Sequence, residues 1–175
     1  AKVIAKGQTV KMDIGEAGKN WFVNIAAGGL LTELTYGVPS QVKSLFGYLA
    51  YLVKGAELLP QIKPIKMHLE YDGGTYDGKA SMFFLALTNS IGGFEQIGPD
   101  TSLDDGKFTL IVVKTSNLIE ILQLITMVLN GGKHVNDPRI LYVKTSKLVA
   151  KPVDAKMMIN VDGEYSGDAP MTFQN

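Results

Sequence analysis

No cysteine occurs among the 175 residues, and only two histidines, His68 and His134. The first absence removes disulfides, thiolate nucleophiles and cysteine-ligated zinc together, and fits a cytoplasmic protein. The second leaves little for a metal centre or a catalytic triad. Net charge is missing too: lysine plus arginine and aspartate plus glutamate number 17 each. No global field therefore recruits nucleic acid or an acidic partner. No window reaches ~18 uninterrupted apolar residues, so no membrane-spanning helix is predicted. The opening "AKVIAKGQTVKMDIG" has no basic region leading through an apolar core to a small-residue cleavage site, so no signal peptide is predicted.

What remains is an ordinary globular balance, 46% hydrophobic and 19% charged, long enough to bury a core as one domain over residues 1–175. The chain starts at Ala1 without methionine and ends just after the strand-like "MTFQN", as an excised piece would. The segments "TVKMDIG" and "WFVNIAA", separated by the turn-like "GEAGKN", read as a β-hairpin. "SQVKSLFGYLAYLVKGAELLP" has apolar residues at helical spacing from Val42 to Val53, with Ser40 as N-cap and Pro60 as stop, and predicts a first helix. "IKMHLEYDGG" alternates strictly, placing His68 on a solvated face. The nearly continuous apolar run in "KASMFFLALTNS" predicts a central strand buried on both faces, and "KFTLIVVK" another strand. "SNLIEILQLITMVLNGG" predicts a second helix with a stripe of Leu118, Ile121, Leu122, Ile125 and Leu129. An Asn117/Glu120 capping box would start it and Gly131 would stop it. "RILYVKTSKLVA", "AKMMINVDGEY" and "PMTFQN" are strand-like. Many strands with two main helices predict a β-rich α+β fold, a layered β-sandwich, over βαβ alternation.

Glycine-rich nucleotide loops are absent. "AAGGLLTEL" lacks G-x-G-x-x-G spacing, and "NGGKHVND" lacks the leading glycine of a P-loop, so the domain is not expected to bind ATP phosphates by itself. "GPDTSLDDGKFTL" crowds Asp100, Ser102, Asp104 and Asp105 before a strand. It is no EF-hand, since Ile111 stands where the twelfth-position glutamate belongs, but Mg²⁺ or Ca²⁺ chemistry and a plain acidic turn both fit. In "NVDGEYSGDAP", Asp-Gly is a hairpin signal. If the segment stays extended, Asp162 and Glu164 project from one face, and paired carboxylates suit proton abstraction from an alcohol. A basic bias at Lys133, Arg139, Lys144, Lys147, Lys151 and Lys156 reads as a solvated face or as a contact for an anionic membrane surface.

Taken together, "VKMDIGEAGKNWFVNIAAGG", "GYLAYLVKGAELLPQ", "LALTNSIGGFEQIGPDTSLDDGKFTLIVVK" and "INVDGEYSGDAPMTF" resemble the second domain of the soluble bacterial diacylglycerol kinases. That family extends to sphingosine and ceramide kinases and, more distantly, to NAD kinases. The resemblance implies the β-sandwich half of a two-domain enzyme, with the N-terminal ATP-binding domain and its Gly-Gly-Asp-Gly-Thr motif absent from this chain. It implies ATP-dependent phosphorylation of diacylglycerol to phosphatidic acid, with this piece inactive alone. Glu164 then matches the proton acceptor and Asp162 its close partner. Asp105, with the backbone carbonyls of Ser102 and Lys107, matches a structural Mg²⁺ site, and Asp13 matches an aspartate linking that metal through water towards the active site. The implied partners are diacylglycerol or a related lipid, ATP as co-substrate and an anionic membrane met peripherally from the cytoplasm; a homodimer is the implied assembly. Two alternatives stand beside it: a kinase for another lipid alcohol such as a sphingoid base, and a non-catalytic lipid- or membrane-binding β-sandwich module.

Overall fold

The computed structural model describes residue 7 and residues 9–29, 64–90, 96–115 and 117–175. The helix predicted between Ser40 and Pro60 lies outside the described residues. Twelve strands are described: β1 (Gly15–Ala17), β2 (Asn20–Phe22), β3 (Ile25–Gly29), β4 (Ile65–Tyr71), β5 (Gly74–Ala80), β6 (Met82–Ala86), β7 (Phe108–Val113), β8 (Ile140–Thr145), β9 (Lys147–Pro152), β10 (Met158–Val161), β11 (Glu164–Asp168) and β12 (Met171–Gln174). One α-helix, α1 (Leu118–Leu129), follows β7. The strands form two six-stranded sheets, ordered β2-β1-β12-β9-β4-β5 and β11-β10-β3-β6-β7-β8.

Period-two burial builds the space between the sheets. In β4, Ile65, Met67 and Leu69 are buried while Lys66 is exposed and His68 half-buried, as the alternation predicts. Four phenylalanines span the sandwich. Phe22 stacks on Phe108 with centroids 5.5 Å apart, and Phe83 meets Phe173 edge-on at 5.9 Å. Each pair joins one sheet to the other, an arrangement that adds about 0.5–1.5 kcal/mol beyond area burial. At Gly28 any Cβ would stand 2.3 Å from the Phe83 ring, so only glycine lets β3 pass there.

A second apolar layer covers the outer face of the β3/β6/β7/β8 side. Met82, Ile111, Val113 and Ile140 pack with Leu124, and Phe84, Ile97, Met127 and Tyr142 border them. β6 is therefore buried on both faces at the centre of its sheet, as its apolar run predicts. β8 and β9, read as one strand-like stretch, belong to different sheets, and the chain changes sheet at Ser146.

Four expectations are corrected. In the first hairpin, "GEA" is itself strand β1, paired Gly15↔Phe22 and Glu16↔Trp21, and the turn is only Gly18-Lys19. "WFVNIAA" is two strands in different sheets, broken at Val23-Asn24. On α1, Ile121 and Leu124 are buried, whereas Leu122 and Leu129 are exposed, because the face turned to the sheet is set by Leu124 and Met127; the Leu118 side chain lies outside the described set. Asn117 does cap the helix, accepting from the N–H groups of Ile119 and Glu120. The capping box does not form, since the Glu120 carboxylate accepts from the Thr115 hydroxyl instead.

His68 is not simply solvated. Its Nδ1 lies 2.5 Å from Asp77 Oδ1 and its Nε2 3.1 Å from Glu70 Oε1, and Lys151 Nζ lies 2.6 Å from that same glutamate oxygen. The Asp77 hydrogen bond chiefly, helped by Glu70, raises the imidazole above its ordinary 6.5. His134 is opposite: burial lowers it, against a bond from Nε2 to Ile97 O at 3.0 Å. A raised histidine stabilises the fold fully below the unfolded value, and the contribution is lost as pH rises through the folded one; a lowered histidine destabilises as pH falls below 6.5. Tm measured against pH should therefore decline on the alkaline side of 6.5 through His68, and His68→Gln should flatten that limb. On the acid side His134→Gln should flatten the other. Parallel wild-type and variant curves would refute either assignment.

Candidate functional site

In an antiparallel sheet ordered β11-β10-β3-β6-β7-β8, alternate strands start and stop at the same end. One end therefore gathers the start of β11 at Glu164, the end of β10 at Val161, the start of β3 at Ile25, the end of β6 at Ala86 and the start of β7 at Phe108. The registers agree: Val161 pairs with Ala26, Ile25 with Ala86, and Ala86 with Thr109. All six residues singled out from the sequence lie at this end.

The turn between β10 and β11 is Asp162-Gly163, both with positive φ (48° and 95°), the pairing that a tight twisted hairpin requires. Asn160, 5% exposed, accepts the Gly163 N–H at its Oδ1, 2.9 Å away. The expectation that Asp162 and Glu164 share a face is thereby corrected, because the segment is bent rather than extended at Asp162. The Asp162 carboxylate turns back and accepts three main-chain hydrogen bonds: Oδ2 from Val23 N at 2.7 Å, and Oδ1 from Asn24 N at 3.0 Å and Ile25 N at 2.8 Å. Asp162 N also donates to Ile25 O at 2.9 Å. Glu164 is exposed, and no described residue donates to its carboxylate. Among the described residues, the two acids thus divide into an anchored carboxylate and one that nothing binds.

Sequence reasoning missed Asn24 and Thr88, whose side chains meet at the same end, Oγ1 to Oδ1, at 2.5 Å. The available signal was an asparagine inside an otherwise β-branched and aromatic run, a residue type that strands avoid.

The acidic turn before β7 is built differently from its sequence appearance. Asp100 accepts from the Tyr142 hydroxyl, and burial followed by this bond pushes the Tyr142 phenol up. Ser102 Oγ donates to Asp104 at 3.3 Å, and Asp105 Oδ1 accepts from Lys107 N at 3.1 Å. Asp13 clasps the turn from outside: its N donates to Leu103 O at 2.6 Å, and its Oδ2 accepts from Gly106 N at 2.7 Å. Lys144 Nζ donates to Asp100 O at 2.9 Å and stands 3.8 Å from Asp105 Oδ2. Asp100, Asp104 and Asp105 do not converge, and no group of three or more His, Cys, Asp or Glu side chains placed for a metal exists among the described residues. One carboxylate with spare lone pairs, on a turn held open by Asp13, does fit an oxygen-preferring cation in kind. Between this turn and Asp162 lie β3 and β6, three strand spacings or roughly 14 Å. A cation there shares the end of the sheet with Glu164 but does not touch it.

The basic stretch carries its own partners: Arg139 pairs with Asp137 at 2.7 Å, Lys151 with Glu70 at 2.6 Å and Lys156 with Asp168 at 2.9 Å. Among the described residues, no helix is long and apolar enough to cross a membrane.

Residues 36–175 match the YegS C-terminal NAD kinase beta sandwich-like domain. The chain belongs to that family. It is 45% identical over 175 residues to a diacylglycerol kinase of Bacillus subtilis (strain 168), covering 100% of this chain and 57% of that protein. It is likewise 45% identical over 173 residues to a diacylglycerol kinase of Staphylococcus aureus (strain Newman), covering 99% of this chain and 54% of the relative. A crystal structure from Bacillus anthracis str. Sterne, assigned to the diacylglycerol kinases, superposes with a TM-score of 0.77 at 21% identity, covering 99% of this chain and 56% of that one. The YegS-type β-sandwich thus accounts for the fold, and the chain spans little more than half the length of the curated relatives it matches.

If Asp162 is the anchor, the two acids must differ in what they do for stability. Asp162→Ala strips acceptors from three N–H groups and is expected to cost about 2–3 kcal/mol. Glu164→Ala should stay within about 0.5 kcal/mol of wild type. Urea unfolding midpoints at constant m-value measure both, and equal effects would remove the division of roles.

Proposed function

We propose that this chain is the β-sandwich part of an ATP-dependent lipid kinase that converts diacylglycerol to phosphatidic acid, with Glu164 as the proton acceptor. The observation that carries the reading is the exposed Glu164 carboxylate, to which no described residue donates, on a turn that Asp162 and Asn160 hold in place. The names of the relatives support the substrate. In the reaction, the lipid hydroxyl oxygen bonds to the γ-phosphorus of ATP as the bond to the β-phosphate bridging oxygen breaks. ADP leaves, and the hydroxyl proton passes to the Glu164 carboxylate. Glu164 orients the hydroxyl before it takes the proton; the Asp162 anchor keeps Glu164 from drifting, which matters because reaction needs near-contact geometry. The phosphates of ATP are left to the part of the longer relatives that this chain does not span, since this sequence has no glycine-rich loop. The water-insoluble lipid puts the enzyme at a membrane surface, peripherally and from the cytoplasm.

Mg²⁺ would be held by the Asp105 carboxylate with the backbone carbonyls of Ser102 and Lys107, and Asp13 would keep the turn in shape for it. When bound, such an ion supplies positive charge that neutralises the Asp105 side of the cleft and stiffens the turn.

Two measurements test the reading. In the full-length enzyme, Glu164→Gln should lower ATP-dependent phosphorylation of diacylglycerol by about 10²–10⁴-fold without changing Tm, and near-normal turnover removes Glu164 from the role. Preference for a sphingoid base over diacylglycerol would replace the substrate. By calorimetric titration with MgCl₂, Asp105→Ala should abolish binding and Glu164→Gln should leave it intact, because the strands separate the two sites; loss in both variants contradicts this placement.

A further inference from the structure

We infer that Asn24, rather than Asp162, is the second polar group of the phosphoryl-transfer site, its side-chain amide donating to a non-bridging oxygen of the phosphoryl group in transit. The inference rests on the phosphoryl-transfer reading above. It begins with a vacancy in the mechanism: a carboxylate that accepts three main-chain N–H bonds is committed to the fold and has little left for a substrate. Asp162 instead fixes the position of what it binds, and one of those residues is Asn24.

Asn24 is held from three sides. Its N–H donates to Asp162 Oδ1 at 3.0 Å, its carbonyl accepts from Leu87 N at 2.9 Å, and its Oδ1 lies 2.5 Å from Thr88 Oγ1. Thr88 Oγ1 is also 3.0 Å from Ser90 O; the shorter contact takes the single hydroxyl proton. With Oδ1 clamped, the Nδ2 end of the amide is turned away from Thr88, and among the described residues nothing accepts from it. The residue is half-buried and stands just before β3, at the end of the sheet that also carries Glu164. Both main-chain bonds survive replacement of the side chain, so what the side chain itself adds to the fold is its one bond to Thr88.

The chemistry suits the position. A transferring phosphoryl group carries its charge on three equatorial oxygens, and donors already fixed in place stabilise that charge without reorganising. An amide N–H donates without a positive charge, which would stabilise the Glu164 carboxylate and weaken it as a base. A held amide at the same end of the sheet as the proposed proton acceptor is therefore suited to positioning the group that the alcohol attacks.

Steady-state kinetics of the full-length enzyme with ATP and diacylglycerol in mixed micelles test this. Asn24→Ala keeps both main-chain bonds, so Tm should move by no more than a few degrees. Its kcat should fall about 10²-fold, with KM for ATP and for diacylglycerol within about threefold of wild type, the split expected when an interaction is made only in the transition state. Thr88→Val, which frees the amide to rotate, should lower kcat by a smaller factor with the same split, and it decides the matter should Asn24→Ala not fold. Wild-type turnover in either folded variant, or a loss confined to KM, overturns the role of Asn24 while leaving the kinase reading in place. A wild-type enzyme that does not phosphorylate diacylglycerol overturns the kinase reading and this inference with it.

Discussion

The structure turns on one carboxylate. Between Phe22 and Ile25 the chain leaves one sheet and enters the other, and at that crossing three successive N–H groups, those of Val23, Asn24 and Ile25, have no strand partner in common. The Asp162 side chain takes all three. A side chain 137 to 139 residues away along the chain thereby does for the crossing what a cap does for a helix: it accepts from donors that regular structure leaves over. Because Asp162 sits at the tip of the β10–β11 hairpin, the same bonds tie that hairpin to β3 and set the end of the sheet on which Glu164 stands.

This explains which parts of the fold were legible in the sequence. Side-chain alternation is local, so "IKMHLEY" announced β4 and its buried face, and the unbroken run around Phe83 announced a strand with apolar layers on both sides. Where the chain changes sheet, local pattern carries no information. "WFVNIAA" and "RILYVKTSKLVA" look continuous, yet each is cut by a residue whose partners are distant, Asn24 by Asp162 and Ser146 by Asp72, whose carboxylate accepts the Ser146 N–H at 2.6 Å. The stripe on α1 failed for a related reason. Periodicity finds an apolar face, but which edge of it is covered depends on Ile97 and the strands below.

The same distinction runs through the site. That Asp162 and Glu164 are acidic and close was plain from "VDGE", and that one would act on an alcohol came with the family resemblance. What local sequence could not show is the backbone at Asp162, whose left-handed φ of 48° goes with a carboxylate bonded to three N–H groups of a distant segment, a bonding that Glu164 does not share among the described residues. The acidic turn shows the converse. Four oxygen-bearing residues crowded in sequence separate in space, because Tyr142 draws off Asp100 and Ser102 engages Asp104, leaving Asp105 on a turn shaped by the distant Asp13.

Strand order then imposes a division of labour that composition alone could not suggest. The β10–β11 tip that carries Glu164 and the acidic turn before β7 share one end of the sheet yet are held three strand spacings apart. In the proposed kinase, a cation held at Asp105 would therefore bear on the shape and potential of that end, at a distance from Glu164. Between the two lie β3 and β6, whose ends are joined at this point by the Asn24–Thr88 contact and by Leu87 N donating to Asn24 O. Those strands are rigid at their far side, where Gly28 lies against the Phe83 ring with no room for a Cβ. The bonded path between the acidic turn and the β10–β11 tip therefore runs through the residues that close the sheet's end, and among the described ones Asn24 touches both Asp162 and Thr88.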